Sequence, residues 1–236
     1  MTEKKPTVVL VHGAFAESAS WHGVVERLLA RQVSVVAAAN PLRSLTSDAA
    51  YVRDIVANID GPVVLAGHSY GGMVITEAAA GNPAVTGLVY VCAFAPEHGE
   101  SALQLSAKFP GSTLGETLTA YPVATGGNEF AIRPDEFHHQ FAADVPAAEA
   151  AVMAATQRPV TEAALTEGLP TTTPAWRSIP SWFVFGDQDL NIPVALHRYL
   201  AERAGAKGLR EVKGGSHALS VSDPAAVTAV ILDAMD

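Results

Sequence analysis

A chain of 236 residues, 49% of them hydrophobic, is long enough for one domain with a substantial core. Its formal net charge of -9, with no run of lysine or arginine, argues against nucleic acid and anionic membrane surfaces as partners. No stretch reaches the roughly 18 apolar residues that span a bilayer, and residues 1–13 carry no signal-peptide core. Cys92 is the only cysteine, so no intrachain disulfide can form. A soluble, cytoplasmic protein is expected.

In chain order, "TVVLVHG" (7–13) is a short β-branched run stopped by glycine, which reads as a buried strand. A helical pattern follows over about 18–31, and "VSVVAAANP" (33–41) is a second strand. A helix begins near Ser47 and Asp48 and carries Tyr51, Ile55 and Ile59 at helical spacing. "PVVLAG" (62–67) is a third strand, 70–80 a helix, and "VTGLVYVCAF" (85–94) a fourth strand in which Cys92 reads as a buried, inert thiol. Strands without polar faces, alternating with helices, imply a parallel sheet covered on both sides. From about 96 to 177 the alternation breaks; no buried strand is evident, and helical pieces fall around 133–142 and 147–155. "SWFVFGDQD" (181–189) resumes the strand pattern, followed by a helix at 194–204, a strand near 209–213 and a last helix at 224–234. The expected organisation is a core of 1–95 and 178–236, with 96–177 inserted as a mainly helical cap.

The third strand runs into "GHSYG" (67–71), a G-x-S-x-G string. Small residues two positions either side of a serine let the chain make a strained strand-to-helix turn that lifts the hydroxyl above the sheet, at a helix N-terminus that favours negative charge. No lysine stands where a phosphate loop needs one, and Gly67 and the Gly71-Gly72 pair miss the dinucleotide spacing. A serine needs a base to take its proton and a third group to orient that base. Candidates follow, each just past a strand: Asp187 or Asp189 in "VFGDQD", and His217 in "VKGGSHALS". The order Ser, Asp, His is that of α/β-hydrolases.

Through "VLVHGAFAESASW", "GHSYGGMV", "FGDQDLNIP" and "GGSHALSVSDP" the chain resembles the α/β-hydrolase superfamily over nearly its whole length. More narrowly, it resembles the small bacterial hydrolases related to plant methyl esterases and hydroxynitrile lyases. The resemblance implies an α/β fold with about six mostly parallel strands, Ser69 as nucleophile, His217 as base and Asp189 as acid. It also implies an oxyanion hole from the backbone N–H groups of Ala14 and Tyr70 and hydrolysis of a small ester without metal or cofactor; the sequence leaves the oligomeric state open between monomer and homodimer. In the related lyases a threonine follows the first-strand histidine and a lysine follows the catalytic histidine; here those positions are Gly13 and Ala218.

Phe15, Phe137, Phe141 and Trp176 are candidates for the substrate pocket, though Phe137, Phe141 and Trp176 could equally hold the cap onto the core. His12 and His68 flank motif glycines and are expected to brace loops, whereas His22 and His197 lie in helical patterns and are expected to be partly exposed. His138 and His139, about 100° apart on a helix, make a poor metal pair. Two rival functions remain: a carbon–carbon lyase, and a receptor that retains the triad without turnover. Rapid cleavage of aryl esters would weaken the receptor reading, and a side-by-side assay with mandelonitrile separates esterase from lyase.

Overall fold

The structure, a computed structural model, describes residues 5–236; residues 1–4, which begin the first expected core segment, lie outside the described residues. β1 (Thr7–Val11), α1 (His22–Leu29), β2 (Val35–Ala38), α2 (Leu45–Ala57), β3 (Val63–His68), α3 (Gly71–Ala79) and β4 (Val85–Val91) alternate as the sequence pattern implies. Between β4 and the next core strand run α4 (Ala102–Ser106), α5 (Leu114–Thr117), β5 (Leu118–Pro122), β6 (Asn128–Ile132), α6 (Pro134–Phe141), α7 (Ala147–Thr156), β7 (Val160–Thr161) and α8 (Glu162–Thr166). β8 (Ser181–Gly186), α9 (Val194–Arg203), β9 (Gly208–Val212), α10 (Leu219–Ser222) and α11 (Pro224–Asp233) close the chain.

The six core strands lie in the order β2-β1-β3-β4-β8-β9, every neighbouring pair parallel. Side chains alternate between the two faces, as the period of two requires. Val9, Val11, Leu65, Leu88 and Tyr90 join a core with Val52 of α2, Ile75 of α3 and Leu196 of α9. Val8, Leu10, Val64, Ala66 and Val89 join Val24 and Leu28 of α1 and Val227 and Ile231 of α11. Each such aliphatic side chain contributes about 1.5–3 kcal/mol on full burial. After β1 the chain winds outward to β2, then returns past β1 to β3. That reversal opens a crevice beyond the C-terminal ends of β1 and β3, where open α/β sheets bind ligands.

β2 is shorter than its apolar run. Asn40 ends it by donating its side-chain N–H to the His12 carbonyl at 2.9 Å, and Leu42 takes a left-handed φ of 59°. The segment between β4 and β8 also holds more than helices. Helices stand at the two stretches expected, α6 and α7, but β5, β6 and β7 form an antiparallel sheet. β5 is largely exposed, and β6, reading NEFAI, is mostly half-buried with only Ile132 fully buried, so no apolar run announces them. The hairpin turns at Gly126 and Gly127, both at positive φ (95° and 77°), and a Gly-Gly pair between short runs is its one sequence signal. No helix among the described residues is long and apolar enough to cross a membrane.

Candidate active site

Ser69 sits in the turn from β3 into α3 with a left-handed φ of 54°. This conformation costs a non-glycine residue about 1–2 kcal/mol, so the surrounding structure must enforce it. The enforcement is close backbone packing: a Cβ on Gly67 would lie 2.5 Å from the Gly71 carbonyl oxygen. The loop after β1 presses on the same turn, since a Cβ on Gly13 would lie 2.6 Å from Ser69 Cβ and 3.2 Å from Tyr70 N. Glycine at 13 is therefore demanded by the close pass of two loops. The N–H groups of Ala14 and Tyr70 find no acceptor among the described residues. The Tyr70 hydroxyl is occupied elsewhere: it donates to Asp48 Oδ2 at 3.0 Å, while Arg43 N–H donates to Asp48 Oδ1 at 3.1 Å. Burial raises the pKa of the fully buried Asp48, and burial with Asp48 alongside pushes the Tyr70 phenol well up.

β8 delivers Asp189 and the loop after β9 delivers His217, both fully buried at their side chains. His217 Nδ1–H donates to Asp189 Oδ2 at 2.7 Å. The other Asp189 oxygen accepts from the N–H groups of Asn191 (2.8 Å) and Ile192 (2.9 Å). Burial alone would raise this carboxyl, but the charge of His217 and the hydrogen bonds from His197 and His217 outweigh it and hold it well below the usual carboxylate range. Asp187 stays at the loop surface, where its Oδ1 accepts from Gly214 N–H at 2.6 Å. The structure thus brings Asp189, and not Asp187, to His217.

His217 Nε2 has no hydrogen-bond partner among the described residues. Its ring is fixed by its neighbours, edge-on to Phe141 at 5.0 Å and 4.7 Å from the His68 ring, whose Nε2–H donates to the His217 carbonyl at 3.0 Å. The neighbouring Ser216 N–H donates to Asp144 Oδ2 at 3.1 Å, and Gln140 of α6 donates to Asn191 Oδ1 at 2.8 Å. Both loops of the Asp–His pair are therefore braced by the segment between β4 and β8.

Ser69, Ala14 and Tyr70 line a cavity of about 110 Å³. Its walls are mostly apolar, with Phe15, Phe94, Leu103, Leu114, Leu165 and Ile192, beside the polar Ser106, Ser112 and Asn191, and among the described residues no charged side chain lines it. A larger groove of about 310 Å³ lies on the far side of Phe15, against α7, and does not reach Ser69. Of the four aromatic pocket candidates, Phe15 alone lines the cavity. Phe137 is fully buried and stacks on Phe141 at 4.9 Å, and Phe141 packs on His217. The Trp176 indole N–H donates to the Pro96 carbonyl at 2.8 Å. Phe137 and Phe141 thus pack the segment between β4 and β8 onto His217, and Trp176 ties the two ends of that segment together.

His12 Nδ1 meets the Gly13 carbonyl at 2.9 Å, and His68 supports His217, so both brace loops as expected. His197 departs from expectation: it is 1% exposed and its Nε2 lies 3.1 Å from Asp189 Oδ2. Burial lowers the pKa of His12 and His197 and drives His68 down to about 3. A histidine held neutral in the fold but free to protonate on unfolding, near pH 6.5, adds stability that is full at neutral pH and shrinks as pH falls below that value. His68 alone gives a slope approaching one proton, or about 1.4 kcal/mol per pH unit, once the unfolded chain is protonated, and His12 and His197 add to it in the same direction. Urea titrations from pH 7.5 to 5 should show unfolding free energy dropping steeply below about pH 6.5; a flat profile there would contradict the neutral buried histidines.

The comparisons agree with this architecture. The sequence model of the alpha/beta hydrolase family matches residues 8–230. The chain is 28% identical to alpha/beta hydrolase nvfD of Aspergillus novofumigatus, over 98% of this chain and 96% of that protein. It is 46% identical over 63 residues, 25% of this chain and 26% of the relative, to a carbendazim hydrolyzing esterase of a Nocardioides species. The crystal structure of polyneuridine aldehyde esterase superposes with a TM-score of 0.83 at 20% identity, covering 99% of this chain and 100% of that one. The strand order, the serine turn between β3 and α3 and the match over residues 8–230 lead to one conclusion: the chain belongs to the α/β-hydrolase family.

Proposed function

We propose that this protein is a serine esterase acting on small, uncharged carboxylic esters. The observation that carries the reading is the buried His217–Asp189 pair, 2.7 Å apart, with the His217 ring 4.7 Å from that of His68, the residue before Ser69, while Ser69, Ala14 and Tyr70 line one largely apolar cavity. In this reading His217 Nε2 takes the Ser69 proton as Oγ attacks the ester carbonyl. Asp189 holds the proton on Nδ1 and stabilises the imidazolium. The N–H groups of Ala14 and Tyr70 receive the developing oxyanion, each worth about 10²- to 10³-fold in rate. His217 then protonates the leaving alcohol, and a water activated by the same imidazole cleaves the acyl-enzyme. The two esterases among the proteins compared, one acting on polyneuridine aldehyde and one on carbendazim, support ester chemistry on this fold.

The cavity favours a short acyl or alcohol group. At about 110 Å³ it is well below the roughly 300–1,000 Å³ that accommodates a drug-sized ligand. Lyase chemistry on a cyanohydrin wants a cation near the departing cyanide, and none lines this cavity. Lys108 is engaged with Glu100 at 3.7 Å and Arg133 with Glu136 at 3.3 Å. Ala218 is buried, and the space a threonine would need at position 13 is filled by the Ser69 turn.

A series of p-nitrophenyl esters from acetate to octanoate, assayed beside mandelonitrile, tests this. We expect kcat/KM to peak at two to four acyl carbons and to fall at least tenfold by octanoate, since a methylene that does not fit is worth about 1–3 kcal/mol. Mandelonitrile cleavage that is faster than ester turnover would replace the esterase with a lyase.

A further inference from the structure

One carboxylate oxygen serves two imidazoles. Asp189 Oδ2 accepts from His217 Nδ1 at 2.7 Å and faces His197 Nε2 at 3.1 Å. His197 comes from the first turns of α9, and its ring lies flat on Phe185, 4.6 Å between centroids and 10° from parallel. Its Nδ1 has no hydrogen-bond partner among the described residues. This pattern assigns the tautomer: a bare Nε2 would set its lone pair against the carboxylate, so the proton sits on Nε2 and is donated. With the Asn191 and Ile192 amides on Oδ1, Asp189 accepts four hydrogen bonds. The ring's one polar contact is with the oxygen that His217 uses.

We propose that His197 is a positioning residue that acts on His217 through Asp189, drawing on the shared oxygen so that Asp189 holds the imidazolium form of His217 less tightly and turnover extends to lower pH. A carboxylate stabilises an imidazolium through its charge density, and a second donor on the same oxygen takes part of that density. His197 can do so as a neutral donor because burial lowers its own pKa. The other titratable or charged groups facing this cluster are few. Glu211 of β9 acts on His197 but is bound to Arg198 by a bidentate pair at 2.7–3.0 Å. The His68 ring lies tilted beside His217, Asp144 binds the Ser216 amide, and Cys92 Sγ contacts the Ser216 carbonyl at 3.8 Å. All of these stay in place when His197 alone is changed.

His197's role rests on the triad reading above, so the test carries one readout that needs no turnover. His197→Phe keeps a ring against Phe185 and removes the donor, whereas His197→Gln keeps an N–H at about the position of Nε2. We expect the acid limb of kcat/KM for p-nitrophenyl acetate to move up by about half a pH unit or more in His197→Phe, and to return to within about 0.2 unit of wild type in His197→Gln. KM should change less than twofold, because His197 does not line the cavity. In parallel, the downfield NMR signal of the His217 Nδ1 proton is followed against pH, and its midpoint should shift in the same order. If His197→Phe does not fold, His197→Leu takes its place. No shift, a shift to lower pH, or an equal shift in His197→Gln would overturn the proposal. A wild-type protein without ester turnover, but with the NMR midpoints ordered as expected, would retire the esterase and leave this coupling standing.

Discussion

Ser69→Ala is expected to remove essentially all ester hydrolysis while leaving the fold intact. Loss of the nucleophile costs about 10⁶-fold in kcat in a well-studied serine protease, and a loss of at least 10⁴-fold is expected here. The substitution removes one oxygen at a cavity wall and leaves no protein group without its partner, because Ser69 Oγ makes no hydrogen bond among the described residues. Alanine inherits the left-handed φ of 54°, so the melting temperature should move by no more than about 2 °C. Ser69→Gly should be equally inactive yet more stable than Ser69→Ala by up to about 1 kcal/mol, since glycine adopts this φ without strain. Retention of a tenth of wild-type kcat in either variant would remove Ser69 from the mechanism.

Asp189→Asn is expected to lower kcat about 10⁴-fold, the cost of the wrong imidazole tautomer in a serine protease. Its carboxamide would keep one oxygen for the Asn191 and Ile192 amides and turn an NH₂ toward His217 and His197. Two donors would then face that group, so each histidine must change its tautomer or lose its partner. Leaving buried donors unpaired costs about 1–3 kcal/mol each, so the melting temperature should fall as well. Asp187→Asn should stay within a few-fold of wild type, because an asparagine oxygen can still accept from the Gly214 N–H. Steady-state kinetics and thermal melts on the two variants decide this, and equal losses would break the assignment.

The core strands were readable because burial on both faces leaves unbroken apolar runs such as those of β3 and β4, and the serine turn because its glycines are demanded by backbone contact. The choice between Asp187 and Asp189 was not in the spacing. Both follow β8, and only the course of the loop decides which one turns inward. The exposed β5 and the half-buried β6 carry no hydrophobic run to read. Asp48 and Tyr70 meet across distant elements, a contact that local pattern cannot foretell. His197 did leave a trace: it lies on a helix face with Leu196, Leu200 and Ala201, all buried, and a histidine on such a face has to find an internal partner.

The amide of Phe15, next to the Ala14 N–H, donates to the Arg158 carbonyl at 3.2 Å, and Arg158 Nε pairs with Glu17 at 2.8 Å. A few residues on, Thr161 N–H donates to the Leu42 carbonyl at 3.2 Å, and Arg43 pairs with Glu129 of β6. The segment that supplies Leu103, Leu114 and Leu165 to the cavity beside Ser69 thus also contacts, through 158–161, the loop bearing one of the proposed oxyanion donors. Grafting that segment from a relative to change substrate preference should therefore cost kcat as well as alter KM, unless the graft keeps the backbone path through 158–161. Substrate preference is better changed at Leu103, Leu114 and Leu165, whose side chains line the cavity. Under the proposed function, recognition and rate draw on one inserted segment, and they can be varied separately only one side chain at a time.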